Sequence, residues 1–279
     1  MQVAKSEINE IIIERSQGLT SLGLKYIWEY RDLLFFLLWR EIKGRYRQMA
    51  LGPLWMIIAP LGQMIIYSVL LGVMARLPSE GIPYALFIYV GLLPWQFFAN
   101  STRQTADSLV NQRAIIAKVY FPRLIIPLVA VLSGLVDFFA SLVVLAILML
   151  FFRVAPVWTF VTLPFFLLLA TMLGLGIGLW LAGLNVKFRD TAIGLGFALE
   201  ALRFLTPVVY ASSLIPERWQ TLYHLNPLTT VIDGFRWALL GVGPGPNWTA
   251  AWAVAVALLV LVSGAFYFRH TERTIVDIL

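Results

Sequence analysis

Long apolar runs alternate with short polar links along nearly the whole chain, at about 50–75, 81–102, 122–152, 155–184, 191–212 and 249–268. A spanning helix needs roughly 20 apolar residues, because about 30 Å of hydrocarbon is crossed at about 1.5 Å per residue. The runs therefore predict six transmembrane spans. Backbone groups in lipid have to be satisfied internally, so the spans are read as helices. The short apolar stretch 237–240 ends at GVGPGPN, whose glycines and prolines break a helix, and is not counted.

Ahead of the first span, residues 25–47 read KYIWEYRDLLFFLLWREIKGRYR, with an apolar centre too short to cross a bilayer. At about 100° per residue, Leu34, Phe35, Leu38, Trp39, Ile42 and Tyr46 share one arc and Lys25, Glu29, Asp32, Arg40, Lys43 and Arg47 the other, with Leu33 and Phe36 interrupting the polar side. This pattern predicts an amphipathic helix lying in the membrane interface.

Lys and Arg distribution sets the orientation, since short cytosolic loops retain positive charge. Cations crowd residues 1–48, the link between spans two and three (Arg103, Arg113, Lys118, Arg123), the link between spans four and five (Lys187, Arg189) and the tail (Arg269, Arg273). Arg76, Arg153, Arg218 and Arg236 fall on the opposite side. Both termini are thus expected in the cytosol, with an N-terminal segment 1–48, a transmembrane domain 49–268 and a tail 269–279.

Composition agrees. With 60% hydrophobic and 13% charged residues and a mean hydropathy of +0.82, the 279-residue chain is no ordinary soluble protein. The net charge of +6 is spread along membrane edges, not gathered in a nucleic-acid-binding domain. No cysteine occurs, which excludes disulfides and thiolate chemistry. The first residues lack the basic-then-apolar layout of a cleavable signal peptide.

Three charged residues fall at membrane depth, where each costs about 2.5 to 3.5 kcal/mol on insertion scales and has to face protein or water. Glu200 and Arg203, at i and i+3, share a helical face and can partly neutralise one another. Asp137 is read as a bond to a neighbouring helix, with a proton relay as the alternative. Gly174 and Gly178 have the spacing that lets membrane helices approach closely. Tyr89, Trp95, Phe97, Phe98 and Trp55 are read as interfacial belt aromatics.

Chemistry is thinly represented. No GxxxxGK[ST] loop, GxSxG elbow or HExxH pair occurs, so this chain holds no nucleotide by a Walker loop and lacks the parts of the common hydrolases. His224 has no second histidine at ligand spacing. No catalytic, cofactor or metal residues are assigned.

Six segments in order carry a resemblance: RYRQMALGPLWMIIAPL (45–61), LFIYVGLLPWQFFANS (86–101), SLVNQRAIIAKVYFPRLIIPL (108–128), NVKFRD (185–190), LTPVVYASSLIPE (205–217) and NPLTTVIDGFRWALLG (226–241). With them the chain resembles the membrane subunit of bacterial type-2 ABC exporters, in the polysaccharide branch. The resemblance implies a homodimer in the bacterial inner membrane, joined to two copies of an ATP-binding subunit that binds ATP and Mg, and exporting a lipid-linked polysaccharide, O-antigen being the expected glycan. Exporters of drugs or small lipids are the alternative, and a glycan-processing enzyme a remote one.

The resemblance further implies a cytosolic coupling helix at about 103–118, offering Arg103, Asp107, Asn111, Gln112, Arg113 and Lys118 to the ATP-binding subunit. It also implies re-entrant outer-leaflet helices at about 214–241, as gate or cap; Pro216 and Pro227 independently suit helix starts there. Arg40, Lys43 and Arg47 would meet a lipid pyrophosphate at the cytosolic entrance, since planar guanidinium groups suit phosphate. Gln63, Tyr67, Glu200, Arg203, Phe204 and Tyr210 are the residues expected along the translocation path.

Overall fold

The computed structural model describes residues 28–47, 50–116, 118–119, 121–188 and 190–278. The predicted N-terminal segment up to residue 27, including Lys25, lies outside the described residues, as does Arg189. All regular structure among the described residues is helical: α1 (Arg31–Tyr46), α2 (Trp55–Tyr67, prolonged by wider turns over Ser68–Met74), α3 (Tyr84–Asn111), α4 (Arg113–Ile116), α5 (Ile125–Phe151), α6 (Leu163–Lys187), α7 (Thr191–Phe204), α8 (Glu217–His224), α9 (Pro227–Leu240) and α10 (Trp248–Ile278).

Among the described residues, four helical stretches are long and apolar enough to cross a membrane: Trp55–Met74, Ile125–Phe151, Trp158–Lys187 and Trp248–Glu272. They correspond to the first, third, fourth and sixth predicted spans. The other two predicted spans differ in instructive ways. Helix α3 runs on past residue 102 into the polar link, and its apolar half is the most enclosed part of the bundle, with Leu86, Phe87, Ile88 and Val90 fully buried. The predicted belt aromatics Tyr89, Trp95, Phe97 and Phe98 are buried here too, so they are core residues; Trp55 alone is exposed. A helix surrounded by other helices packs its aromatics against protein, and needs no lipid-facing surface.

Helix α7 stops at Phe204 instead of running to 212, a length of about 21 Å at 1.5 Å per residue. Pro207 explains the stop: it has no N–H to continue the ladder and disfavours helical backbone at Thr206. The Thr206 hydroxyl donates back to the freed carbonyls of Leu202 and Arg203, at 3.0 and 3.2 Å. At the other end of the chain the predicted tail is no separate segment, because α10 continues through it to Ile278.

Helix α6 is wedged between α3 and α10, and its glycines divide the work. Gly174 and Gly178 face α3, where a side chain on Gly178 would overlap Thr105. Gly176 faces α10, where a Cβ would stand 2.8 Å from the Leu261 backbone, and Gly264 returns the contact. Small residues on both flanks let α6 approach two neighbours at once, the close packing that drives helix association in lipid.

The 227–240 segment, expected as part of a re-entrant outer-leaflet pair, forms α9, which is packed among α3, α6 and α10 with nearly every side chain buried. Its ends are well specified: the Asn226 side chain accepts from Leu228 N–H at 3.1 Å, Pro227 opens the first turn, and Gly241 takes the left-handed conformation (φ 69°) that closes the last.

Candidate docking and translocation sites

One end of the bundle gathers α1, the last turns of α3, α4, the start of α5 and the end of α6. The predicted coupling helix 103–118 is not one element here. Helix α3 carries it to Asn111, the chain bends at Gln112, and α4 adds a single turn. Arg103, Asn111, Arg113 and Lys118 are exposed. Asp107 is held from α6, because Asn185 donates to its carboxylate at 2.8 Å and to the Ala106 carbonyl at 3.2 Å. Asn185 belongs to the NVKFRD motif, so that motif holds the polar half of α3 at Asp107.

Two residues assigned to separate roles meet here. Arg40 of the expected pyrophosphate site donates to Gln112 of the expected coupling segment at 2.5 Å, and Gln112 donates to Glu41 at 3.4 Å. Lys43 and Arg47 remain exposed on the same arc of α1 as Arg40. Between α1, α3, α4 and α5 lies a cavity of about 170 Å³, with a polar wall including Arg103, Asp107, Asn111 and Gln112 and an apolar one including Leu37, Ile126 and Val129.

Helix α1 seats itself differently from the predicted arcs. Leu33 and Leu37, with Leu34 and Leu38, pack against Phe121, Ile125, Ile126 and Val129, while Phe35, Phe36 and Trp39 are exposed. Leu33, read as an interruption of the polar side, is part of the packing face. The apolar residues cover two directions, one toward α5 and one outward among the cations, as suits a helix between protein and membrane interface.

On the flank formed by α2 and α7, the expected path residues come together in part. Arg203 pairs with Glu200, and its guanidinium lies 5.8 Å from the Tyr67 ring and 5.7 Å from that of Phe204. Tyr210 joins this group by donating to the Phe204 carbonyl at 2.8 Å, and Tyr223 donates to the Tyr210 hydroxyl at 3.0 Å. Gln63 is turned away: Gln96 on α3 donates to it at 3.0 Å. Glu200 remains 59% exposed, a carboxylate displayed on an otherwise apolar flank.

Sequence reading missed one buried ionic centre and the partner of a second, partly buried one. Arg236, counted as a cation of an outer link, is 2% exposed; it donates to the Val208 and Tyr210 carbonyls at 2.9 and 3.2 Å, stands 3.7 Å from Asp233 and covers the Phe87 ring at 3.9 Å. The i, i+3 spacing of Asp233 and Arg236 was the available signal, the same one that singled out Glu200 and Arg203. Asp137 forms the second centre, with Arg45 at 2.6 Å. Its acid was noticed, but no spacing rule points across 92 residues to its partner.

These features describe, among the described residues, an all-helical membrane protein with charge pairs between its helices and a polar surface at one end. The chain belongs to the ABC-2 type transporter family, whose profile matches residues 32–240. It is 32% identical over 254 residues, 89% of this chain and 96% of the relative, to an O-antigen export system permease protein of Myxococcus xanthus. It is 30% identical over 261 residues, 88% of this chain and 92% of the relative, to an inner membrane transport permease of Escherichia coli K12. A polysialic acid transport protein of Escherichia coli is 22% identical over 235 residues, 84% of this chain and 91% of the relative. The chain is therefore a permease subunit of the bacterial inner membrane and not an enzyme, and its family works with an ATP-binding subunit.

Proposed function

We propose that this chain is the permease of an exporter that moves a lipid-linked polysaccharide, of O-antigen type, outward across the bacterial inner membrane at the expense of ATP bound in a separate subunit. The observation that carries the reading is the likeness to an O-antigen export permease over 96% of that relative's length. The Escherichia coli permease, whose name gives no cargo, favours the second reading, an exporter of another cargo such as a drug or small lipid.

In the proposed assembly two copies of the chain, each crossing the membrane six times with both termini in the cytosol, face one another across the α2 and α7 flank. Helix α2 buries little of itself, and Gly62, Gly194 and Gly196 have no neighbour within 4 Å of a would-be Cβ. The Glu200–Arg203 pair on that flank is costly against lipid but tolerable beside a second copy or a hydrated path. The end carrying Arg40, Arg103, Arg113 and Lys118 faces the cytosol and receives the ATP-binding subunit.

Co-expression with a candidate ATP-binding subunit tests the reading. The purified complex is expected to hydrolyse ATP, and cells lacking the native permease are expected to regain surface polysaccharide. In Arg113→Glu/Lys118→Glu we expect at least a tenfold loss of complex-dependent ATPase or of co-purification. Unchanged assembly and ATPase would sink the docking assignment, while restored ATPase with no surface polysaccharide would favour the other cargo.

A further inference from the structure

Arg45 is the most heavily engaged cation at the junction of α1 with the bundle. Its Nη1 donates to Asp137 Oδ2 at 2.6 Å, and its Nη2 donates to Gln104 Oε1 at 2.9 Å and to Ser133 Oγ at 2.8 Å. The planar fork thereby holds three helices at one point: α1 through Arg45 itself, α3 through Gln104, and α5 through Ser133 and Asp137. Lysine, a point charge on a flexible stem, cannot reproduce that geometry. Asp137 lies twelve residues into α5, about 18 Å along its axis.

The contacts do not stop at Arg45. Glu41 Oε1, one turn earlier on α1, is 3.8 Å from Arg45; Gln112 donates to Glu41 at 3.4 Å; and Arg40 donates to Gln112 at 2.5 Å. Glu41, Gln104 and Gln112 also line the 170 Å³ cavity. A continuous polar thread thus joins a carboxylate inside the membrane part of α5 to the bend between α3 and α4, within the expected docking segment 103–118. Apolar contacts surround it, since Leu37 packs on Ile126 and Val129 beside the cavity.

We infer that Arg45 and Asp137 are positioning residues for energy coupling: the pair fixes the angle of α1 and the docking bend relative to α5, so that movement of the docking end is passed to the membrane helices instead of being absorbed at a loose joint. The inference rests on the proposed function, because it presumes an ATP-binding partner at this end. A charge pair held by a rigid fork suits this task. Its geometry tolerates little displacement, whereas apolar contacts alone let helices slide.

The test uses the complex with its ATP-binding subunit, and reads surface polysaccharide exported per ATP hydrolysed in Arg45→Gln, Asp137→Asn and the double variant. Each single variant is expected to lower that ratio about tenfold while co-purification and ATPase stay within about twofold of wild type. The double variant is expected to lose well short of the product of the two single losses, since all three variants lose the Arg45–Asp137 ion pair. Additive losses, or an unchanged ratio, overturn the inference. If Arg45→Gln does not accumulate, Ser133→Ala removes one acceptor and leaves the ion pair; a two- to threefold lower ratio supports the inference and an unchanged one overturns it. A wild-type complex without ATPase or export would instead refute the proposed function, so the two failures are separable.

Discussion

Replacing Arg236 with methionine is expected to lower the melting temperature of the detergent-purified chain by roughly 10 °C or to prevent its accumulation. Four interactions converge on this guanidinium: two carbonyls at the break after α7, the Asp233 carboxylate one turn away and the Phe87 ring beneath. Methionine approximates the length of the stem and supplies no donor. Asp233 is then left as an uncompensated buried charge, a change that costs about 3–5 kcal/mol, against a total stability on the order of 5–15 kcal/mol. At about 2–4 °C per kcal/mol for a chain of this size class, the loss reads out as the shift stated.

The companion variant discriminates causes. Asp233→Asn/Arg236→Met removes the orphaned charge and leaves only the two carbonyls short of donors, so it is expected to melt several degrees above Arg236→Met. A single Arg236→Met variant melting within about 2 °C of wild type would show that the pair is solvated and not part of the core. The non-helical stretch 205–211 leans on this anchor, because the Val208 and Tyr210 carbonyls are satisfied from α9. Loss of Arg236 is therefore expected to loosen the α7–α8 connection as well.

Gly176→Leu is the second large effect expected. Its Cβ would meet the backbone of Leu261 and Val260 at 2.8 Å, and backbone cannot step aside as a side-chain tip can. The α6–α10 seam has to open to admit it, losing the reciprocal contact at Gly264 and straining the Trp180–Tyr267 stack, whose ring centroids are 4.4 Å apart. Overpacking typically costs about 1–3 kcal/mol, more when backbone has to move. Size-exclusion chromatography in detergent is the measurement: the monodisperse fraction should fall severalfold for Gly176→Leu and stay near wild type for Gly44→Leu, on α1 and away from the α2–α7 flank, where open space surrounds the position. Equal behaviour of the two variants would contradict the seam.

The spans that could be read from the chain are Trp55–Met74, Ile125–Phe151, Trp158–Lys187 and Trp248–Glu272, each an apolar run of spanning length in its own sequence. Helix α3 departs from that pattern for a physical reason: protein encloses its first half and its second half is polar, so neither its boundary at Asn111 nor the burial of Tyr89, Trp95 and Phe98 is written in hydropathy. The early end of α7 was signalled by Pro207, a local rule. The exposed cations Arg103, Arg113 and Lys118 were legible as an excess of charge between two spans, whereas the hold on Asp107 by Asn185 and the bond from Arg40 to Gln112 were not.

Periodicity, charge bias and proline placement act within one segment, over a few turns, so the chain alone was enough to establish a helical membrane protein, the approximate place of most of its spans and a basic contact end. Which charges neutralise which is decided by contacts between segments far apart in sequence. Arg45 finds Asp137 across 92 residues, and Arg236 reaches the Val208 carbonyl across 28. Those pairings exist only once α1, α3, α5 and α9 are packed, because a buried charge takes its partner from whatever helix the fold brings within reach. The fold, not the local pattern, made Asp137 a fastening point and turned Arg236 from a surface cation into part of the core.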